Sequence, residues 1–157
     1  MEERTTMNIP VIALRGLTVF PDLTLSFDVE REISIYALDS AMEGDRTIFL
    51  VTQREIATTT PTEEDLYTVG TVCRILQILK TSETSVRVIV EGQQRARIHR
   101  LWQNKPFLQA NVELLEEDFP GRMTPRMEAL IRQTYVIFGE YKELVPNLTD
   151  DFVSAVL

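Results

Sequence analysis

The first third of the chain alternates between short apolar segments and polar turns, a pattern typical of β-strands. Residues 9–14 are almost continuously apolar, which favours a strand that is buried on both faces. Residues 23–30 alternate between apolar and polar side chains, so one face of a second strand can meet a core. The turn between these segments, which ends at Pro21, is predicted to display Val19 and Phe20.

A short helix and a central strand are predicted next. The apolar residues have the spacing of three and four positions that marks the buried face of a helix: Ile35, Leu38 and Met42. Ser34 is the predicted N-cap of this helix, and Gly44 is predicted to end it. The compact apolar run at 48–51 then favours a strand in the middle of a sheet.

Residues 69–80 and 86–91 predict two antiparallel strands joined by the polar turn at 81–85. Apolar side chains occupy both faces of the first of these strands, namely Val72, Leu76 and Ile78 on one face and Cys73, Ile75 and Leu79 on the other. Both faces are therefore expected to be covered, one by a barrel interior and the other by a helix. Alternation at 108–114 predicts a last strand.

The pattern changes to a helical period after the acidic segment at 116–122. Thr124 is the predicted cap of a helix with Pro125 at its first position. Its apolar residues form one stripe, which is predicted to pack against other helices: Met127, Leu130, Ile131, Phe138, Tyr141 and Val145. A second helix is predicted to begin near Thr149 or Asp150, with these apolar residues: Phe152, Val153, Val156 and Leu157.

These elements place the chain in the α+β class, with a β-rich domain followed by a helical subdomain. We assign the β-rich domain to residues 1–117 and the helical subdomain to residues 118–157. A chain that ends within an apolar helix is expected to be a fragment of a longer protein.

Composition narrows the chemistry that the chain can carry. Cys73 is the only cysteine and His99 the only histidine, which excludes an intramolecular disulfide, a thiolate zinc cluster and a site with two histidines. No phosphate-binding loop or Gly-x-Ser-x-Gly motif occurs, so no catalytic, cofactor-binding or metal-binding residues are predicted.

The net charge of −8 opposes nucleic-acid binding and favours proteins as partners. Because no apolar segment is long enough for a membrane span or a signal peptide, we expect a cytoplasmic location and no membrane contact.

Several segments resemble the amino-terminal domain of Lon-type ATP-dependent proteases in order and spacing. The most specific are Arg-Ile-Leu-Gln-Ile-Leu-Lys at 74–80 and Val-Arg-Val-Ile-Val-Glu-Gly at 86–92. Weaker matches lie at 13–21, 65–72 and 95–98. The chain departs from the family pattern at turns, with Ala13 in place of a frequent proline and Glu30 in place of a frequent glycine before Arg31.

The resemblance implies a mostly antiparallel, PUA-like pseudo-barrel of about six strands, attached to a helical arm and without catalytic residues of its own. It also implies a parent protease with an AAA+ ATPase, a Ser-Lys dyad, ATP and magnesium as cofactors, and a homohexameric ring. The domain itself would recognise unfolded, damaged or regulatory protein substrates and support assembly of the ring. Two alternatives are a free-standing adaptor protein with the same domain and a PUA-like nucleic-acid binder.

Phe20, Pro21 and Leu23 are the candidate residues for binding unfolded polypeptide, because an apolar loop can form an exposed patch. The favoured alternative is that Phe20 plugs the end of the barrel, since isolated apolar loop residues usually pack inward.

The basic residues concentrate in one cluster, for which a solvated strand face is favoured over a polyanion site: Arg95, Arg97, His99, Arg100 and Lys105. Cys73 is predicted to be a small core residue and not a reactive thiol.

Overall fold

The computed structural model describes residues 5–119, 121–149 and 153–154, and the chain divides into two compact units, Met1–Glu116 and Glu117–Leu157. The elements of the first unit are β1 (Thr6–Leu14), β2 (Thr24–Val29), α1 (Glu32–Glu43), β3 (Thr47–Thr52), a 3-10 helix (Glu63–Asp65), β4 (Val69–Lys80), β5 (Val86–Gln103) and β6 (Leu108–Leu114). The second unit contains α2 (Pro125–Leu144). No helix in the described ranges is both long and apolar enough to span a lipid bilayer.

One sheet joins all six strands of the first unit in the order β2-β5-β4-β3-β1-β6, and a further pairing between β5 and β6 closes it into a barrel. β1 and β3 run parallel, and the connection between them passes through β2 and α1. The other pairs are antiparallel. The predicted α+β class and mostly antiparallel pseudo-barrel are therefore confirmed, with one parallel pair that the sequence pattern did not indicate.

β5 is an 18-residue strand that links three neighbours. It pairs with β2 through residues 86–91, with β6 through residues 96–103, and with β4 along most of its length. Register shifts in the β4 and β6 ladders let the strand bend around the barrel. The prediction that this strand ends at 91 is wrong, because Gly92 stays in the ladder opposite Cys73.

Two clusters of buried side chains lie on opposite faces of the sheet. α1 covers the first cluster with Leu38 and neighbouring alanines, and Ile48 and Leu50 of β3 point into it. Phe49 and Val51, the alternate residues of the same strand, belong to the second cluster inside the barrel. Both faces of β3 are therefore buried, which explains why its sequence is a continuous apolar run.

The start of α1 differs from the prediction. The helix begins at Glu32 with Arg31 as its N-cap, and Arg31 makes no side-chain hydrogen bond to the helix. Ser34 lies inside the helix and is buried, so the prediction that Ser34 is the cap is wrong. The carbonyl of Arg31 accepts the first hydrogen bonds of the helix, and its side chain is anchored by hydrogen bonds to Ala13 and Gln53.

The outer half of β4 is more exposed than predicted. β3 pairs with β4 only as far as Arg74, and beyond that residue β4 continues with β5 alone. Leu76 and Leu79 are consequently exposed at 45% and 42%. The expectation that both faces of this strand are covered along its full length is therefore wrong.

The second unit contains the predicted helix with the predicted cap. The Oγ1 atom of Thr124 accepts a hydrogen bond from the backbone N–H of Met127 at 3.2 Å, and Pro125 occupies the first position. No described residue of α2 is buried, so the packing of its apolar stripe stays a prediction. Of the second predicted helix, Val153 is helical and buried. Asp150, Phe152, Val156 and Leu157 lie outside the described residues.

Candidate functional site

In the loop between β1 and β2, some apolar side chains are exposed to solvent and others are buried in the core. Phe20 and Leu23 are exposed at 54% and 45%, and Pro21 is partly buried. Val19 is buried, so the prediction that Val19 is displayed is wrong. The interpretation of Phe20 as a barrel plug is also wrong, because its side chain is exposed, and Val19 is the loop residue that joins the cluster covered by α1.

Hydrogen bonds fix this loop to the barrel on both sides of Phe20. The carbonyl oxygen of Val19 accepts a 2.6 Å hydrogen bond from Thr71 Oγ1. The N–H of Asp22 donates to the carbonyl of Gly92 at 3.0 Å, and the N–H of Gly92 donates to the carbonyl of Leu23 at 2.9 Å. The exposed apolar side chains are thus held on a preorganised backbone, which lowers the entropy lost when a ligand binds.

A shallow groove runs beside the loop, and we call it the Phe20 groove. It consists of two adjoining cavities of about 210 and 320 Å³ that share Thr18, Thr52 and Val69. Phe20 borders the first cavity and Tyr67 the second, and both side chains are exposed. Two of its hydroxyl groups already have partners, since Thr52 Oγ1 donates to the carbonyl of Leu17 at 2.7 Å and lies 3.0 Å from Thr18 Oγ1. The groove therefore offers mainly apolar contact.

Gly70 lines the groove at a point where the backbone passes close to β3. A Cβ atom at this position would lie 2.5 Å from the carbonyl oxygen of Leu50 and 2.6 Å from the ring of Phe49. Any larger residue would force β4 away from β3. The pairing of Phe49 with Val72 in the same ladder keeps both strands in place beneath the groove.

The basic residues of this cluster follow one strand and the loop beyond it. Arg95, Arg97, His99 and Arg100 are exposed on β5, and Lys105 is exposed beyond its end. The Nε2 atom of His99 is 2.8 Å from Oε2 of Glu113, which places a carboxylate within the cluster. Only Arg95 of this cluster borders the Phe20 groove. The arrangement agrees with the predicted solvated strand face.

Cys73 is a core residue, as predicted. It is fully buried in the cluster beneath α1, and its Sγ atom donates to the carbonyl of Thr71 at 3.5 Å. Burial raises the pKa of the Cys73 thiol to about 12. In the described ranges no three His, Cys, Asp or Glu side chains are close enough to hold a metal ion.

The Cys73 thiol should be unreactive in the folded protein. Because only the thiolate is nucleophilic and the raised pKa removes it near neutral pH, labelling by a thiol reagent at about pH 8 should be slower by two orders of magnitude or more than in the unfolded chain. The measurement compares labelling rates in buffer and in guanidinium chloride. Labelling at equal rates in both conditions would contradict the buried position of this thiol.

A further set of polar residues was not identified from the sequence. Arg31, Arg15 and Ser34 line a cavity of about 230 Å³ at the start of α1, which we call the α1 cavity. Arg31 and Ser34 lie at the start of α1, but Arg15 follows β1, so spacing alone could not bring all of them together. The available signal was an arginine directly before a helix, where a residue with a hydrogen-bond acceptor is usual.

Comparisons with known proteins identify the family. Residues 8–156 match the family model described as the ATP-dependent protease La (LON) substrate-binding domain. The chain is 39% identical over 156 residues to the Lon protease of Syntrophomonas wolfei and 42% identical over 147 residues to that of Azospirillum brasilense. These alignments cover 99% and 94% of this chain, but only 19% and 18% of the two relatives. The chain belongs to the Lon substrate-binding domain family and spans about a fifth of the length of these relatives.

Solved structures agree on the fold. The N-terminal domain of the Mycobacterium avium complex Lon protease superimposes with a TM-score of 0.61 at 18% identity, covering 94% of this chain and 78% of that one. The Lon N-terminal domain protein from Xanthomonas campestris gives a TM-score of 0.63 at 15% identity, covering 81% of this chain and 70% of that one. The architecture of the chain is therefore that of Lon N-terminal domains.

Proposed function

We propose that this chain is the non-catalytic N-terminal domain of an ATP-dependent serine protease, in which it binds unfolded, damaged or regulatory polypeptides. The family model and the relatives named Lon protease support this role. In the complete protein, an AAA+ ATPase using ATP and magnesium and a Ser-Lys protease domain would process what this domain binds. The domain would also support assembly of a homohexamer in the cytoplasm.

The observation that carries the proposal is the exposed and preorganised Phe20 groove. Phe20 and Leu23 present apolar side chains on a loop that is hydrogen-bonded to the barrel. A folded protein keeps its own apolar segments buried, so only an unfolded or unstructured segment can fill such a groove. The groove thereby distinguishes unfolded from folded polypeptides without reading a particular sequence.

The expected affinity of one domain is low. One or two apolar anchors contribute about 1.5–3 kcal/mol each, whereas association costs about 4–15 kcal/mol. A single groove should therefore bind with micromolar or weaker affinity. A ring of domains raises the effective concentration of binding sites and can strengthen binding by about a hundredfold or more. Weak capture by each domain is thus compatible with efficient capture by an oligomer.

Replacing Phe20 and Leu23 together by serine should weaken binding to a denatured protein by about 1.5 kcal/mol or more, roughly tenfold in Kd. The reason is the loss of both exposed apolar anchors. Fluorescence anisotropy with a labelled, permanently unfolded protein measures the effect. Because both side chains are already exposed, the melting temperature should stay near that of the unchanged chain.

The matched control replaces Leu76 and Leu79 by serine. These residues have similar exposure but lie on the outer half of β4. If the control weakens binding as much as the loop variant, the Phe20 groove is not the site. Unchanged binding by a stable loop variant would lead to the same conclusion and would direct attention to α2.

The DNA sequence that follows codon 157 separates the protease from the adaptor alternative. A phosphate-binding loop and a downstream Ser-Lys pair in the same reading frame would support the protease. A stop codon directly after this domain would support a free-standing adaptor.

A further inference from the structure

The α1 cavity combines an apolar wall with a cationic end. Its volume is about 230 Å³, and its apolar wall is formed by side chains of β1, β2 and the loop between them: Ile12, Leu14, Leu17, Phe27 and Val29. Arg15, Arg31 and Ser34 form the polar end. A cavity of about 150 Å³ already holds a benzene-sized group, so one apolar side chain and a small charged group fit this space.

Arg31 is fixed in position at this polar end. Its Nη1 atom donates to Oε1 of Gln53 at 2.9 Å, and its Nη2 atom donates to the carbonyl oxygen of Ala13. Gln53 is itself held, because its amide nitrogen donates to the carbonyls of Glu55 and Thr58 at 3.1 and 2.9 Å. The guanidinium group is therefore preorganised, and both its anchors are neutral.

The charge of Arg31 has no carboxylate partner among the described residues. Burial, and then the nearby charge of Arg15, lower the pKa of Arg31 from its usual value. Two carboxylates lie on the cavity wall, but Asp28 forms two hydrogen bonds with Arg87 at 2.8 and 2.9 Å. Among the charged residues that line the cavity, this leaves the negative charge of Glu30 against the positive charges of Arg15 and Arg31. The polar end therefore carries a net positive charge. An anion bound there would supply the missing counter-charge.

The start of α1 adds uncharged donors to the same end. The backbone N–H groups of Ser34 and Ile35 donate to the carbonyl of Arg31, which leaves those of Glu32 and Ile33 without an acceptor in this 12-residue helix. Arg31 provides no side-chain cap. Ser34 is only 4% exposed and lines the cavity, yet no hydrogen-bond partner for its hydroxyl occurs among the described residues. This hydroxyl faces the cavity beside the start of the helix, where it can donate a hydrogen bond to a bound anion.

We propose that the α1 cavity binds the C-terminal carboxylate of a polypeptide whose last residue is apolar. The carboxylate accepts hydrogen bonds from Arg31 and Ser34 with Arg15 nearby, and the last side chain packs on the apolar wall. The last residue of a polypeptide carries its carboxylate and its side chain on the same Cα atom, so both groups can enter one cavity of this size. The inference extends the proposed function, since it names one feature of the polypeptides that the domain captures.

A pair of short peptides tests the proposal. Both have the same sequence and end in leucine, one with a free carboxylate and the other with a C-terminal amide. Titration against the 157-residue chain should show at least tenfold tighter binding of the free acid. Replacing Arg15 by glutamine or Ser34 by alanine should remove most of this preference. Equal binding of the acid and the amide would overturn the proposal.

Arg74→Gln is the matched control for Arg15→Gln. Arg74 is exposed on β4 and does not line the cavity, but its replacement changes the net charge by the same amount. An equal loss of preference in both variants would overturn the proposal in favour of long-range attraction. A small branched carboxylic acid is the second control, because binding as tight as that of the peptide would assign the cavity to a free metabolite.

The outcomes also separate this inference from the proposed function. Binding of a denatured protein without discrimination between the two peptides would overturn the role of the α1 cavity and leave the Phe20 groove in place. Selective binding of the free acid, together with denatured-protein binding that does not respond to Phe20→Ser and Leu23→Ser, would support the cavity and remove the groove.

Discussion

Replacing Phe49 by alanine is expected to lower the free energy of unfolding of the first unit by about 3–5 kcal/mol. Phe49 is fully buried in the middle of β3, between Val11 of β1 and Val72 of β4. Its ring also packs against Gly70, where no side chain can replace the lost contact. The variant should therefore leave a cavity that the surrounding strands cannot close. Urea denaturation followed by far-ultraviolet circular dichroism measures the change.

Phe119→Ala is the control for this substitution, because it removes the same atoms from a side chain that is 75% exposed. Its effect should stay within about 0.5 kcal/mol. A loss of less than about 1 kcal/mol for Phe49→Ala would contradict the packing of the barrel interior, since that value is ordinary for surface sites. Equal effects of the two variants would do the same.

Gly92→Ala is expected to destabilise the first unit by about 1–3 kcal/mol and to displace the loop that carries Phe20. An added Cβ atom would lie 2.1 Å from the carbonyl oxygen of Phe20 and 3.1 Å from Cα of Pro21. Backbone atoms cannot rotate away, so the loop must shift and its hydrogen bonds with Gly92 must weaken. Binding of a denatured protein should fall although every apolar side chain of the groove is retained.

Gly139→Ala provides the matched comparison. Gly139 lies in α2 with open space around its Cα, so alanine should stabilise that helix by about 0.5–1 kcal/mol. Unfolding curves and the anisotropy assay are measured on both variants. A Gly92→Ala protein with unchanged stability and unchanged binding would show that the loop does not depend on this close approach.

The strands could be predicted where burial of both faces determines which residues they contain. β1 and β3 are buried on both faces, and their apolar runs at 9–14 and 48–51 indicated this directly. β5 was predicted too short for two reasons. A glycine inside a strand is read as a break, and the register shifts near 98–103 disturb the alternation on which the prediction depends.

The candidate sites were harder to predict because burial in a loop depends on distant residues. Val19 and Phe20 are equivalent by local pattern, and the hydrogen bond from Thr71 to the Val19 carbonyl is one of the contacts that hold the loop in its observed conformation. The α1 cavity could not be identified at all, because Arg15 and Arg31 approach each other only in the folded barrel, where α1 packs against β1. Only for Cys73 did the residue type alone predict the position correctly, because a small side chain suits a core.

The pairing of β1 with β6 sets the order of events during biosynthesis. Thr6 lies opposite Glu113, so about a hundred residues must be synthesised before the amino-terminal strand can meet this neighbour. At about 5–20 residues per second, translation of that stretch takes about 5–20 seconds. The apolar segment at 9–14 is synthesised well before β6 and stays incompletely paired for this whole interval. Chaperones that act on nascent chains should therefore contact this segment before any other part of the domain.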